Sequence, residues 1–271
     1  MMGAVTRDTL RESINRRMGL VLIVFAVLVP IFLIGMIRID HAADGKLQVT
    51  MKGFHSLPPE VFALSTFMGL LDVANSYWVL LGVFAVAPLL MSFLEKGRAD
   101  LVISKGTPRW QIFLGHFIGT FVLYTSSVVL MAVVPALYLW ARTGVSLRQF
   151  LVAICISVFA FSAMLALLSL AAMGASNPAL PIMLAFVFTM FTGLLANRKV
   201  FFYQDIITSK WGQWLVDWLY RILPKTSELV MASRKYLNAG VVDSWWPFWS
   251  TALFVAGALA LSCWLMHRKS F

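Results

Sequence analysis

The sequence predicts an all-α membrane protein with about six transmembrane helices, on three observations. Of the 271 residues, 60% are hydrophobic and only 13% are charged, against roughly 25% charged in a soluble domain. The mean hydropathy is +0.83. The apolar residues gather into runs of about 20, the length that crosses a bilayer core. Such a chain cannot cover itself with polar surface, so much of its exterior faces lipid. Residues 1–271 read as a single transmembrane domain.

Residues 1–18 are polar and carry Arg7, Arg11, Arg16 and Arg17, while Leu10, Ile14 and Met18 recur every fourth residue. That pattern predicts an N-terminal interfacial helix over 1–18. Span one follows from Met18 to Ile37, with Pro30 as a tolerated kink. It is too long for a signal-peptide core and lacks a small-x-small cleavage site. Residues 38–76 form a mixed polar segment in which Leu57-Pro58-Pro59 breaks any helix. Span two runs from Ser76 to Leu94. A charged stretch, Glu95 to Arg109, separates it from span three, Phe117 to Ala141, which has Pro135 near its far end. A short loop leads to span four, Phe150 to Ala172. The turn Ser176-Asn177-Pro178 makes a hairpin with span five, Ala179 to Ala196.

Residues 197–245 read as an outer interfacial segment. Trp211, Trp214, Trp218 and Ile222 recur at spacings of three and four, and with Leu215 and Leu219 they form one apolar face. Lys210, Gln213, Asp217 and Arg221 stand at its polar margins. A Trp-rich amphipathic helix belongs at headgroup level, and Pro224 ends it. Span six runs from Trp246 to Met266.

The net charge of +10 would suggest nucleic acid in a soluble protein. Here the basic residues flank apolar runs, as they do where helix ends meet headgroups. No basic stripe with interleaved aromatics lies elsewhere, so no nucleic-acid partner is expected. The two cysteines, Cys155 and Cys263, sit inside apolar runs, and the four histidines are scattered. Neither set has metal-ligand spacing, so no metal site is expected. No acidic or basic residue lies well inside any of these spans, which argues against an ion-coupled transporter. Backbone carbonyls could still bind sodium. There is no nucleophile elbow, zinc-protease motif or phosphate loop. No catalytic residue is assigned, and the chain is not expected to hydrolyse ATP itself. An intramembrane enzyme with its catalytic groups at loop mouths stays open.

With six spans, both ends lie on one side. Arg7, Arg11, Arg16, Arg17, Lys96, Arg98, Lys105, Arg109, Arg268 and Lys269 fall on that side and favour a cytoplasmic assignment. Segment 197–245 then faces outward although it carries seven Lys and Arg. That conflicts with the positive-inside rule, and an odd span count or a re-entrant fifth segment would remove the conflict.

The most informative stretch is Glu95 to Gly119. Asp100 to Ser104 can form a short helix that packs Leu101 and Val102 on one side. Gly106 can end it with a positive φ. Thr107 then caps a new helix with Pro108 in its first turn. Such a knob, with charged rims and an apolar centre, is something a soluble partner can grip. Further on, Gly115 and Gly119 form a Gly-x3-Gly pair suited to close helix packing.

This stretch resembles the region between the second and third spans of bacterial ABC-2 type permeases, the membrane subunits of ABC transporters. Glu95, Gly97, Leu101, Ser104, Pro108, Arg109, Leu114, Gly115 and Gly119 stand at matching places. Lys105-Gly106-Thr107 and His116 depart from the pattern, His116 standing where Lys is common. A weaker match lies at Leu223-Pro224-Lys225-Thr226-Ser227-Glu228-Leu229, where the family has a Pro-containing turn and short helix before the last span. The resemblance implies a permease domain with a cytoplasmic coupling region at 95–112. Glu95, Gly97, Arg98, Asp100, Leu101, Gly106, Thr107, Pro108 and Arg109 would dock a cytoplasmic ATPase. It also implies two ATPase copies that bind ATP and Mg, a second permease copy (identical or related), and a place in the bacterial inner membrane. No cofactor is expected in this chain. Export or conformational work across the membrane would follow. The alternatives are a non-transporting scaffold, a mechanotransmitter for an outer or periplasmic partner, or an intramembrane enzyme.

Overall fold

Six helical runs in the computed structural model are long and apolar enough to cross a membrane. The structure describes residues 2–15, 17–41, 47–51, 57–92, 108–175, 177, 179–201 and 209–268. Helix α1 (Met2–Asn15) precedes the first span, α2 (Arg17–Met36). A hairpin of β1 (Ile37–His41) and β2 (Leu47–Met51) follows, with Ile39 opposite Val49. It is the only sheet among the described residues, so helices account for the architecture.

The second span differs most from its expectation. Its helical run begins at Pro59, well before Ser76. Helix α3 (Pro59–Asn75) leads through a break at Ser76 into α4 (Tyr77–Ser92). The Pro58-Pro59 step starts this helix. Proline at the first helical position sacrifices an amide that has no intrahelical partner, and its φ is already helical. Phe62, Phe67, Leu70 and Leu71 of α3 are buried. Asp72 lies within the 34-residue run Pro59–Ser92, four residues before the expected start of span two at Ser76.

The third run is also long. Helix α5 (Arg109–Val128) passes through one π-helical turn, Val129–Val133, into α6 (Val134–Thr143). Pro135 accounts for the irregularity, because it cannot donate to the turn before it. Gly144 ends α6 in the left-handed conformation, at φ 72°. Helices α7 (Arg148–Gly174) and α8 (Ala179–Ala196) follow as read from the sequence. After the one-turn α9 (Arg198–Phe201) come α10 (Lys210–Ile222), α11 (Thr226–Ala239) and the last span, α12 (Trp246–Arg268).

Helix α7 is the centre of the bundle, with Phe150, Phe161, Leu165 and Ala166 fully buried. Tyr124 of α5 stacks on Phe161, ring centroids 3.4 Å apart. Gly82 of α4 backs this pair, and a Cβ there would stand 2.6 Å from the Tyr124 ring. One turn away, the Trp78 indole donates to Ser127 Oγ at 3.0 Å. Trp78→Phe is expected to cost about 2 kcal/mol or more, since the cavity left by the smaller ring adds to the lost hydrogen bond. Ser127 stays satisfied, because its hydroxyl donates to the Tyr124 carbonyl. A fall in thermal unfolding temperature in detergent checks this. Most intramembrane hydroxyls donate to their own helix in this way, Thr66 to Phe62, Ser157 to Ala153 and Ser262 to Ala258 among them. That is how polar side chains are accommodated where no water competes.

Candidate functional site

Two places gather the side chains that carry function. The first is the end of the bundle where α5 begins. Pro108 sits at the N-cap position with an extended ψ of 138°. Its carbonyl accepts the first helical hydrogen bonds, from Gln111 and Ile112. Pro108 thus precedes the helix and does not occupy its first turn, because the helix begins at Arg109. Arg109 donates to the His267 carbonyl at 3.5 Å, tying the start of α5 to the end of α12. Behind it Ile112, Phe113, Met173 and Met266 form a small core that joins α5, α7 and α12. Glu95, Gly97, Arg98, Asp100, Leu101, Gly106 and Thr107 lie outside the described residues.

Helix α1 packs against the next turns of α5. Thr6 donates to the Gly115 carbonyl at 3.3 Å, and Thr9 Oγ1 lies 2.9 Å from His116 Nδ1. The Thr9 hydroxyl proton goes to the Val5 carbonyl, so His116 donates in the second bond. Thr9 and Ser13 are buried, as is His116. A Cβ on Gly119 would stand 2.8 Å from the Thr9 Cβ. The Gly115/Gly119 surface therefore receives the N-terminal helix through its threonines. The apolar spacing in the sequence gives α1 a membrane face of Leu10 and Ile14 and leaves this polar face unmarked. The only hint was the spacing of Thr6, Thr9 and Ser13.

The second place lies between α8 and α12. No residue of α10 is buried, and Trp211, Trp214 and Trp218 are exposed by 79%, 59% and 52%. Ser209 caps this helix through the Gly212 amide. Helix α11 behaves differently. Leu229, Ser233 and Leu237 are buried, and Leu229 packs with Ile156 and Ala160 of α7. Half of what reads as an interfacial segment is thus part of the bundle. The buried face of α11 mixes Thr226 and Ser233 with two leucines, so it gives no apolar period.

Where α10 meets α11, charges and aromatic rings interlock. Arg198 pairs with Asp217 at 2.8 Å, and its guanidinium lies 3.6 Å from the Tyr220 ring centroid. Burial alone would lower the Arg198 pKa, but the hydrogen bond and charge of Asp217, with Tyr220, hold it above its ordinary value. Tyr220 donates to Glu228. Burial, reinforced by Glu228, pushes the phenol up to about 12. Lys225 is 4% exposed, and its Nζ has no hydrogen-bond partner among the described residues. The ammonium lies over Tyr220 and Trp246, 4.2 and 4.7 Å from their centroids. Burial lowers its pKa, Glu228 opposes the shift, and Arg198 and Arg221 add to it. Arg234 pairs with Asp72 at 2.7 Å with both side chains about half exposed, so the pair contributes about 1 kcal/mol or less.

Between these elements and the spans lies a cavity of about 180 Å³. Asn75, Ser157, Thr189, Thr192, Thr226 and Ser227 supply its polar lining. Thr226 donates to Thr192 across it at 3.2 Å. The described residues contain no group of His, Cys, Asp or Glu able to hold a metal ion. Hydroxyls and one amide suit water or a neutral polar group and supply no strong acid or base. A comparison with models of known protein families finds no match, and a comparison with curated proteins finds none.

Proposed function

We propose that the chain is the membrane permease subunit of an ABC transporter, a multi-pass protein of the bacterial inner membrane driven by a separate ATPase. The observation that carries this reading is the Glu95–Gly119 pattern, whose last part opens α5. Two copies, or this chain with a related one, pair in the membrane. Each holds one cytoplasmic ATPase subunit through Glu95–Arg109, and the ATPase binds ATP and Mg. The termini then lie in the cytoplasm, and 197–245 faces outward. Three of the seven basic residues in that segment are ion-paired, Arg198 with Asp217, Arg234 with Asp72 and Lys235 with Asp243.

The contacts of α5 support a mechanical role for the docking segment. A shift at Arg109 acts on α12 through His267, and a shift at Gly115 or His116 acts on α1 through Thr6 and Thr9. ATP binding biases the docked ATPases toward one arrangement, and the attached helices follow as rigid bodies. The break at Ser76 and the π-helical turn at Val129–Val133 are points where the two longest runs can bend.

The alternative reading is force transmission to an outer partner. The runs Pro59–Ser92 and Arg109–Thr143 have 34 and 35 residues, about 51 and 52 Å of helix. A bilayer core is about 30 Å thick, so each run has residues to spare for contact with a protein outside the membrane, even with the bends at Ser76 and Val129–Val133. Purification of the intact chain from bacterial membranes is expected to bring down an ABC ATPase. Stimulation of its ATP turnover by lipid, by a small solute or by an outer protein separates the readings. A folded chain that retrieves no ATPase contradicts the proposal.

A further inference from the structure

A groove of about 410 Å³ runs along α12. Leu253, Phe254, Gly257 and Leu261 line it, with Trp246 and Arg221 at one end. From Trp246 to Leu261 is 15 positions (261 − 246) of α12, about 22 Å of helix, which suits an extended acyl chain. Arg221 ends α10, whose exposed Trp211, Trp214 and Trp218 place that helix at headgroup depth. Trp245 and Trp249, both exposed, stand at the same end of α12 as Trp246. The opposite aromatic level is set by Trp264, which Arg268 covers at 4.1 Å.

The charge at the groove mouth is positive and only partly balanced. Arg221 forms no hydrogen bond or ion pair with a described residue. The acids nearby are engaged, Asp217 by Arg198 and Glu228 by Tyr220. Lys225, buried and without a hydrogen-bond partner among the described residues, lies over the Trp246 ring and adds to the field. An apolar groove of acyl-chain length that opens at headgroup depth beside an unpaired guanidinium matches a lipid with a negative headgroup.

We propose that this groove binds one anionic phospholipid, with its phosphate at Arg221 and one acyl chain along Leu253, Phe254, Gly257 and Leu261. A zwitterionic lipid offers the same chain, but its own ammonium offsets the attraction. The site stands whether or not the chain is a transport subunit.

The test uses the full chain in neutral detergent. It is titrated with phosphatidylglycerol or phosphatidylcholine, and bound lipid is counted by native mass spectrometry. At least one phosphatidylglycerol is expected to be retained, with an about fivefold preference over phosphatidylcholine. No neighbouring atom lies within 4 Å of a Cβ placed on Gly257. Gly257→Leu therefore fills the groove without disturbing the helix, and retention of both lipids falls. Arg221→Gln keeps the groove and loses the preference. Thermal unfolding in lipid-free detergent verifies that both variants are folded. Unchanged phosphatidylglycerol retention in Gly257→Leu, or an unchanged preference in Arg221→Gln, overturns the proposal.

Discussion

Gly82→Leu is expected to destabilise the bundle by about 3 kcal/mol or more. Already a Cβ at this position would stand 2.6 Å from the Tyr124 ring and 3.2 Å from Phe161. Neither ring can retreat. Tyr124 is 1% exposed, and it is held against Phe161, also 1% exposed, on the central helix α7. Inserting four carbons at the meeting point of α4, α5 and α7 forces the helices apart along their length, because interiors are close-packed. The neighbouring Trp78–Ser127 hydrogen bond would be pulled open with them. Loss of a monodisperse peak in detergent, or a fall of many degrees in unfolding temperature, is the expected readout. Gly69 and Gly193 have no atom within 4 Å of a Cβ, so Gly69→Ala and Gly193→Ala serve as tolerated controls.

Gly119→Leu is expected to release α1 while leaving the spans assembled, at a cost of about 2 kcal/mol. Thr9 stands directly over Gly119 on the same face that bonds His116. Forcing Thr9 away also removes the Thr6 bond to the Gly115 carbonyl, so α1 loses both of these bonds to α5 together. Limited proteolysis near Arg7 and Arg11 should accelerate well before the rest of the chain is cut. Equal cleavage rates in the variant and the parent would show that α1 does not depend on this contact.

These contacts show why some of the protein is legible from composition and some is not. Spans one, four and six follow from length and hydropathy, because lipid imposes an apolar surface whatever the packing, while the fifth segment, which the sequence leaves open as re-entrant, is a helix over Ala179–Ala196. The start of the second run does not follow. Pro58-Pro59 reads as a break, and Asp72 makes the segment look polar. In the fold the prolines begin a helix, and Arg234 pairs with Asp72. Helix α11 is hidden for a related reason. It carries Glu228, Arg234 and Lys235, and its buried positions include Thr226 and Ser233. Close packing against α7 needs small side chains there rather than an apolar stripe. The seat of α1 is likewise built from threonine, serine and glycine, which hydrophobic periodicity passes over.

At the candidate site, the Trp face of α10 is visible in sequence because its exposed side is the apolar one. The interlocked Arg198, Tyr220, Lys225 and Glu228 are not, since they meet only when α8, α10 and α11 are brought together. Of the docking segment the structure describes Pro108 and Arg109, so its role rests on the motif and on the contacts those residues start.

The most direct measurement on the central claim is ATPase capture by the chain lacking residues 98–108. The tagged variant is purified beside the parent and beside a control lacking 42–46, which fall between β1 and β2 in the sequence. Capture is expected to fall about a hundredfold in the first and to stay at the parental level in the control, because losing a docked segment removes several kcal/mol of contact. All three should show the same unfolding temperature, since the bundle contacts of α5 begin at Arg109 and Ile112. Parental ATPase recovery from a folded chain without residues 98–108 would contradict the account.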